Sequence, residues 1–303
     1  MFKTFPAFSK LTLADRDEYN AYIKDFPPVS DISFAALMTW WNTFGGMSVS
    51  LLNDNLVIPY WLPGDDKHSG LALMGANHID ESLCTLFDYL RDKGDPVRLV
   101  NVPEFVVANV RYPAMFTFKE DRMHHEYILP IASYYPIKNM QGHRRYKVER
   151  QLGRVSDRTI VTKSLDLARQ ENRDFLWEAT LKWQAKGIND YGKLEQDAMK
   201  LCFDNAELFG LDNVCLFVDD ELYGFCLYEI GADKRYVAIK HIKATHVSTL
   251  GFELIAYAFA KWFAERGVMY ANVCSDCGLM RLRMFMLTLG PYNFFRKYII
   301  EPA

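Results

Sequence analysis

N-V-C-S-D-C-G-L-M-R-L-R-M-F-M-L-T-L-G-P, from Asn272 to Pro291, decides how this chain is read. An apolar β-like run, Val268 to Val273, leads into it, and Gly278 opens a helix-like segment that Pro291 stops. An aromatic strand carrying Phe295, Lys297 and Tyr298 follows. The stretch therefore joins a strand end, a polar turn and a helix bearing Arg283. Ligands of mixed α/β sheets sit at such junctions, where strand C-termini and helix N-termini present polar groups.

Upstream the same alternation recurs. Asp15 to Phe26 reads as helix and stops at Pro27-Pro28. A second helix carries Phe34, Leu37, Met38 and Trp41 at helical spacing. Strands over Met47 to Leu52 and Leu56 to Leu62 flank Asn53-Asp54-Asn55, a hairpin turn, and Leu71 to Met74 reads as a short third strand. Ile79 to Lys93 is a helix with Leu83, Leu86, Phe87 and Leu90 on one side, ended by Gly94. Strand, short helix (Phe105 to Val110) and an extended strand or hairpin (Phe116 to Leu129) close the first half. The second half repeats the order, with helices over Leu167 to Lys186, Tyr191 to Leu208 and Ser248 to Arg266 and strands around Asp219-Asp220. Each half reads β-α-α-β-β-β-α-β-α-β, the element order of the GNAT acyltransferase fold. The expected class is α+β: two tandem GNAT-like domains, each a mixed, mostly antiparallel sheet flanked by helices. The boundaries fall at 1–137 and 158–303, with a basic connecting segment at 138–157.

The 303 residues carry a formal charge of -3, which excludes an indiscriminate, strongly basic nucleic-acid binder but permits a local basic patch. Lys138 to Arg154 is such a patch, with Arg144, Arg145, Lys147 and Arg150 against Glu149 alone. It follows a nucleic-acid backbone, or it is a solvated amphipathic helix. The six cysteines lie mostly in apolar runs and read as free thiols of a reducing compartment. Neither a signal peptide nor an 18-residue apolar run is evident, so the expectation is a soluble, cytoplasmic protein. Cys274-x-x-Cys277 lacks a second ligand pair at zinc spacing, and no metal is expected.

The opening stretch resembles the closing motif of the phosphatidylglycerol lysyltransferase C-terminal domain family, N-x-E-x-D-x-G-x-x-G-L-R-x-x-K-x-S-x-x-P. Asn272, Asp276, Gly278, Leu282, Arg283 and Pro291 keep it. Cys274 replaces Glu, Met286 replaces Lys and Thr288 replaces Ser. Tyr127, Gly142, His143-Arg144 and Lys147 are similar to an upstream element of that family, in which Arg150 stands near an expected Asn. Trp183, Glu195, Glu229 and Lys243-Ala244 are scattered further matches.

The resemblance implies transfer of an aminoacyl group from aminoacyl-tRNA to a lipid, small-molecule or peptide acceptor, with no resident cofactor. It implies catalytic work for Asp276, Glu229 and Asn272 and charge-holding on the acceptor for Arg283 and Lys243. Contact with tRNA would fall to Arg144, Arg145, Lys147 and Arg150. Asp276 either orients or deprotonates the acceptor, or only caps the following helix. His241 shares a strand face with Lys243 and is a further base candidate. The alternatives are an N-acyltransferase using acetyl-CoA or another acyl-CoA, and a binding protein without catalysis. Ser248-x-x-Gly251 is a poor CoA loop, because Phe252 stands where a second small residue belongs and Glu253 adds negative charge.

Overall fold

The computed structural model describes residues 1–41, 46–62, 65–185, 192–231, 234–244 and 247–303. The chain forms two compact units. The first takes Met1–Tyr127, Ser275–Leu289 and Asn293–Ala303, and the second takes Ile128–Cys274 with Gly290–Tyr292. This differs from the division read in the sequence. The basic segment belongs to the second unit, and most of the last thirty residues return to the first. Pairing partners are not encoded locally in a strand, so a chain-order boundary misses such a return.

In the first unit the elements are β1 (Ser9–Lys10), α1 (Arg16–Ile23), α2 (Phe34–Ala36), β2 (Ser48–Leu52), β3 (Asn55–Leu62), β4 (Asp65–Met74), α3 (Ile79–Lys93), β5 (Leu99–Pro103), α4 (Glu104–Val107) and β6 (Phe116–Glu120). Next, β7 (Glu126–Pro130) carries the chain into the second unit. There follow α5 (Gly142–Arg154), β8 (Ile160–Lys163), α6 (Gln170–Gln184), α7 (Gly192–Asp204), β9 (Asp212–Val218), β10 (Glu221–Ile230), β11 (Tyr236–Ala244), α8 (Val247–Ala264) and β12 (Tyr270–Ser275). Finally α9 (Met280–Thr288), β13 (Asn293–Phe295) and β14 (Lys297–Pro302) end the chain.

The first sheet has the order β1-β2-β3-β4-β5-β14-β6. Its β14 is antiparallel to both neighbours, so the C-terminal strand fills a gap between two strands of the first half. In the second sheet β7, β12, β11, β10, β9 and β8 neighbour one another in that order. Both sheets are mixed and mostly antiparallel: β4–β5 and β11–β12 are parallel, whereas β2–β3, β3–β4, β8–β9, β9–β10 and β10–β11 are antiparallel.

Each sheet uses the same hairpin chemistry. Asn53 and Asp54 have φ of 51° and 60°, and Asp219 and Asp220 have 51° and 64°. Two successive left-handed residues make the turn whose twist matches a two-residue hairpin, and Asn and Asp tolerate that region best among side-chain-bearing residues. The third strand is longer than its apolar run suggested, starting at Asp65. Phe116 to Leu129 is neither one strand nor a hairpin: the 3-10 turn Arg122–His124 separates β6 from β7, and the two strands belong to different sheets. His124 and His125 therefore leave the strand and are both buried.

The core of the first unit is built as the helical spacing of α3 requires. Ile79, Leu83, Leu86, Phe87 and Leu90 are buried against Val57, Leu71, Leu73, Leu99, Val102 and Ile300. Gly94, at φ 73°, ends α3 by donating its N–H to Arg91, and Asp95 N–H reaches the Leu90 carbonyl. Leu83 is fully buried. Leu83→Ala is expected to cost about 2–5 kcal/mol in denaturant unfolding, through lost transfer energy and the cavity left behind. Asp92→Ala on the exposed side of α3 should stay within about 0.5 kcal/mol of wild type.

Candidate functional site

The turn after β12 is held in an unusual backbone conformation. Cys277 and Gly278 have φ of 49° and 76°. An alanine at 278 would be strained by that φ, although its Cβ would meet only the Met123 side chain, at 3.5 Å. Asp276 Oδ1 accepts the Gly278 N–H at 2.9 Å, closing a local turn. Helix α9 begins later, at Met280, with Leu279 as its N-cap and no side-chain cap. Asp276 is thus not the helix cap.

Its carboxylate instead collects side chains. Arg283 donates Nε to Oδ2 and Nη2 to Oδ1, each at 2.9 Å. Tyr127 Oη donates to Oδ2 at 2.6 Å, and Arg122 Nη1 donates to the same oxygen at 3.2 Å. Arg122 Nη2 also donates to Tyr127 Oη at 2.8 Å. Burial pushes the Asp276 carboxyl up, but the hydrogen bonds from Arg283, Tyr127 and Gly278 prevail and hold it below the ordinary range. Burial and the hydrogen bond to Asp276 raise the Tyr127 phenol, which stays protonated. A carboxylate so occupied is a weak base. The arrangement suits it to fix two guanidiniums and a phenol.

A second polar cluster of the first unit surrounds Lys297, which is fully buried. Its Nζ lies 2.7 Å from both Asp31 oxygens, 3.3 Å from Asn101 Oδ1 and 3.3 Å from Glu126 Oε1. Asn101 donates to Asp31 at 3.0 Å, and Glu126 accepts the backbone N–H of Ser30 at 2.8 Å. These residues, and Arg122, are absent from the sequence-level candidates. A signal was available: Asp121-Arg-Met-His-His-Glu-Tyr127 packs six polar or titratable side chains into a segment read as strand.

In the second unit Lys243 is 2% exposed, with Nζ 2.5 Å from Glu195 Oε1 and 3.9 Å from the centroid of Trp183. His241 Nδ1 lies 3.6 Å from the same Glu195 oxygen. The scattered matches Trp183, Glu195 and Lys243 thus meet in space. The expected presentation of Lys243 to a ligand is not what the fold provides, because its ammonium is buried against Glu195. Burial lowers both Lys243 and His241. Glu229 pairs with Lys240 at 3.1 Å. Asn272 is buried, and its Oδ1 accepts the Cys274 N–H at 3.0 Å. The parallel register of β11 and β12 ends at Ala238 and Asn272. Beyond it Cys274 Sγ donates to the Ile239 carbonyl at 3.0 Å.

The basic segment is the helix α5. Arg145 pairs with Glu149 and Lys147 with Glu253, at 2.8 and 2.6 Å. Arg144 stacks over Tyr134 and Arg150 over the exposed Tyr146. The Ser248-x-x-Gly251 side chains lie outside the described residues.

Neither a known protein-family profile nor a curated protein matches the sequence. Solved structures do match in shape. A conserved protein of unknown function from Bacteroides thetaiotaomicron superposes with a TM-score of 0.76 at 22% identity, covering 98% of this chain and 99% of that one. A C-terminal domain ascribed to a lysylphosphatidylglycerol synthetase of Agrobacterium fabrum gives 0.62 at 10% identity, covering 95% and 92%. L-PGS from Bacillus licheniformis gives 0.60 at 13% identity with the same coverage. The chain has the fold of these domains. The expected α+β architecture, two mixed and mostly antiparallel sheets flanked by helices, stands. Among the described residues no helix is long and apolar enough to cross a membrane.

Glu195 yields a pH test. Burial pushes its carboxyl up, but hydrogen bonding from His241 and the Lys243 charge hold it at about 2, against 4.5 ordinarily. A depressed carboxyl contributes stability that is fully present above the unfolded value and lost as pH falls through the folded one. The depression corresponds to roughly 3 kcal/mol. Lys243, lowered by burial, shifts in the opposing sense, so the pair's net contribution is smaller. Glu195→Gln should be destabilised at neutral pH by leaving Lys243 unpaired. The gap to wild type should narrow between pH 4.5 and 2, read by urea unfolding at each pH.

Proposed function

We propose that this protein is an aminoacyltransferase, moving an aminoacyl group from aminoacyl-tRNA to a hydroxyl or amine of a lipid, small-molecule or peptide acceptor. The supporting observation is the Asp276 cluster. The residues that keep the resemblance's spacing, Asp276 and Arg283, form a bidentate pair on a fully buried carboxylate. A second guanidinium and a phenol complete it.

In this reaction the acceptor's oxygen or nitrogen forms a bond to the ester carbonyl carbon. The bond to the tRNA ribose oxygen then breaks, and the acceptor's proton ends on that ribose hydroxyl. The donor ester is already activated, so alignment and charge stabilisation supply most of the acceleration. Asp276 acts here as a positioning residue, holding Arg283 toward the acceptor. Glu229 and Asn272 are the base and hydrogen-bonding candidates of the second unit. Arg144, Arg145, Lys147 and Arg150 on α5 meet the tRNA backbone, and Lys243 supports its surroundings through Glu195.

The test is label transfer from a mixture of radiolabelled aminoacyl-tRNAs into lipid, peptide and small-molecule fractions, beside an acetyl-CoA arm. Transfer from tRNA is expected, with Asp276→Asn lowering it by roughly 100-fold. Its circular dichroism should stay that of wild type. Transfer from acetyl-CoA alone, or from neither donor, would refute the reading.

A further inference from the structure

We propose that a column of three tyrosines in the second unit, Tyr236, Tyr270 and Tyr292, takes an unpaired base of an RNA strand as its next ring. Register builds the column. Tyr236 opens β11 and Tyr270 opens β12, and the two are direct partners in the parallel pairing of those strands. Their rings stack with centroids 5.0 Å apart and planes inclined by 25°. On the other side of β12 lies β7, whose Ile128 carbonyl accepts the Tyr292 N–H at 2.9 Å. Tyr292 stacks on Tyr270 at 6.2 Å and 30°. Tyr270 is therefore the middle ring, and Tyr292 ends the column.

Exposure marks that end as unfinished. Tyr292 is 71% exposed, whereas Tyr236 and Tyr270 are half-buried. A ring left in water at the end of a stack lacks the burial its neighbours have, and a flat aromatic partner supplies it. Every nucleobase has such a face, and an unpaired base is free to lay it on an aromatic side chain.

Charge selects a nucleic acid over other flat ligands. Lys234 and Arg235 are exposed and immediately precede Tyr236. The Arg235 carbonyl accepts the N–H groups of Met269 and Tyr270, at 2.8 and 3.0 Å. That ties both cations to the end of the strands that carries the column. Single-stranded nucleic acid needs this pairing, π-faces for its bases and cations for its phosphates. A neutral sugar ring would stack on Tyr292 but leave the cations unused. The choice of RNA over DNA rests on the transferase reading, in which the donor is an RNA.

The experiment follows the fluorescence anisotropy of a labelled adenosine RNA octamer. An abasic octamer with the same phosphates, a fully paired RNA duplex and a deoxyadenosine octamer serve as comparisons. Saturable binding of the adenosine octamer is expected, with the abasic strand and the duplex bound roughly tenfold more weakly. Tyr292→Ala should weaken the adenosine octamer by roughly tenfold and leave the abasic one unchanged, and Tyr292→Trp, which keeps a ring, should bind like wild type. Tyr292→Leu, with apolar bulk but no π-face, should weaken binding as alanine does and covers a failure of the alanine variant to fold. Tyr112→Ala, at an exposed tyrosine of the first unit, should change nothing. Lys234→Gln should make the salt dependence shallower by about one phosphate contact. Absence of saturable binding, equal binding of the abasic strand, or a folded Tyr292→Ala protein that binds like wild type overturns the proposal. Tighter binding of the deoxyadenosine octamer overturns the assignment to RNA. A protein that transfers from aminoacyl-tRNA but ignores the octamer loses this proposal alone, and one that binds the octamer through Tyr292 but transfers nothing loses only the transferase reading.

Discussion

The ammonium of Lys297 has no route to water, and the first unit is arranged to satisfy it. Burial alone would pull its pKa down. The carboxylates of Asp31 and Glu126 outweigh that and hold it above the ordinary lysine range. Those partners come from 266 and 171 residues away along the chain. An unpaired charge in such a place costs several kcal/mol, so the turn at Ser30–Ile32, the Asn101 position of β5 and the start of β7 must all reach β14. The backbone of Lys297 is engaged as well. Its carbonyl accepts the Asp121 N–H at 2.8 Å and faces His125 Nε2 at 3.2 Å. One residue thereby fixes the C-terminal strand by its head and by its peptide.

The same constraint positions the candidate site. Glu126 and Tyr127 are adjacent at the start of a strand, and adjacent strand residues point to opposite faces. Glu126 turns to Lys297, which leaves Tyr127 to turn to Asp276. Arg122, in the preceding 3-10 turn, follows Tyr127 to the same carboxylate. A one-residue slip in this segment would exchange the faces and bury a phenol against Lys297 and a second carboxylate against Asp276. Like charges there would oppose each other, so the register of β7 is specified electrostatically as well as by packing.

How much of this was legible depended on the distance over which each residue's partner lies. Asn53-Asp54 and Asp219-Asp220 announce their hairpins because turn chemistry is local. The apolar stripe of α3 is likewise complete within four turns. Asp276 and Arg283 sit seven residues apart, so a spacing motif can report them. Arg122 and Tyr127 lie about 150 residues from Asp276, and nothing in their neighbourhood names that partner. The return of β14 between β5 and β6 escaped the boundary at 137 for the same reason. Charge was the weakest guide: the cations of α5 looked like one patch, yet Lys147 and Arg145 are already paired within their own unit.

The departures from the resembling motif become intelligible once the turn is seen in three dimensions. Met286 stands where that motif carries Lys, and it is 8% exposed on the inward side of α9. A lysine there would need a buried counterion, whereas methionine fills the position with an adaptable apolar chain. Cys274 stands where the motif carries Glu. Its thiol caps the Ile239 carbonyl just past the point where β11 and β12 cease to pair. A carboxylate could not donate to that carbonyl without first taking up a proton. Both replacements therefore satisfy the interior and remove charge from positions 274 and 286.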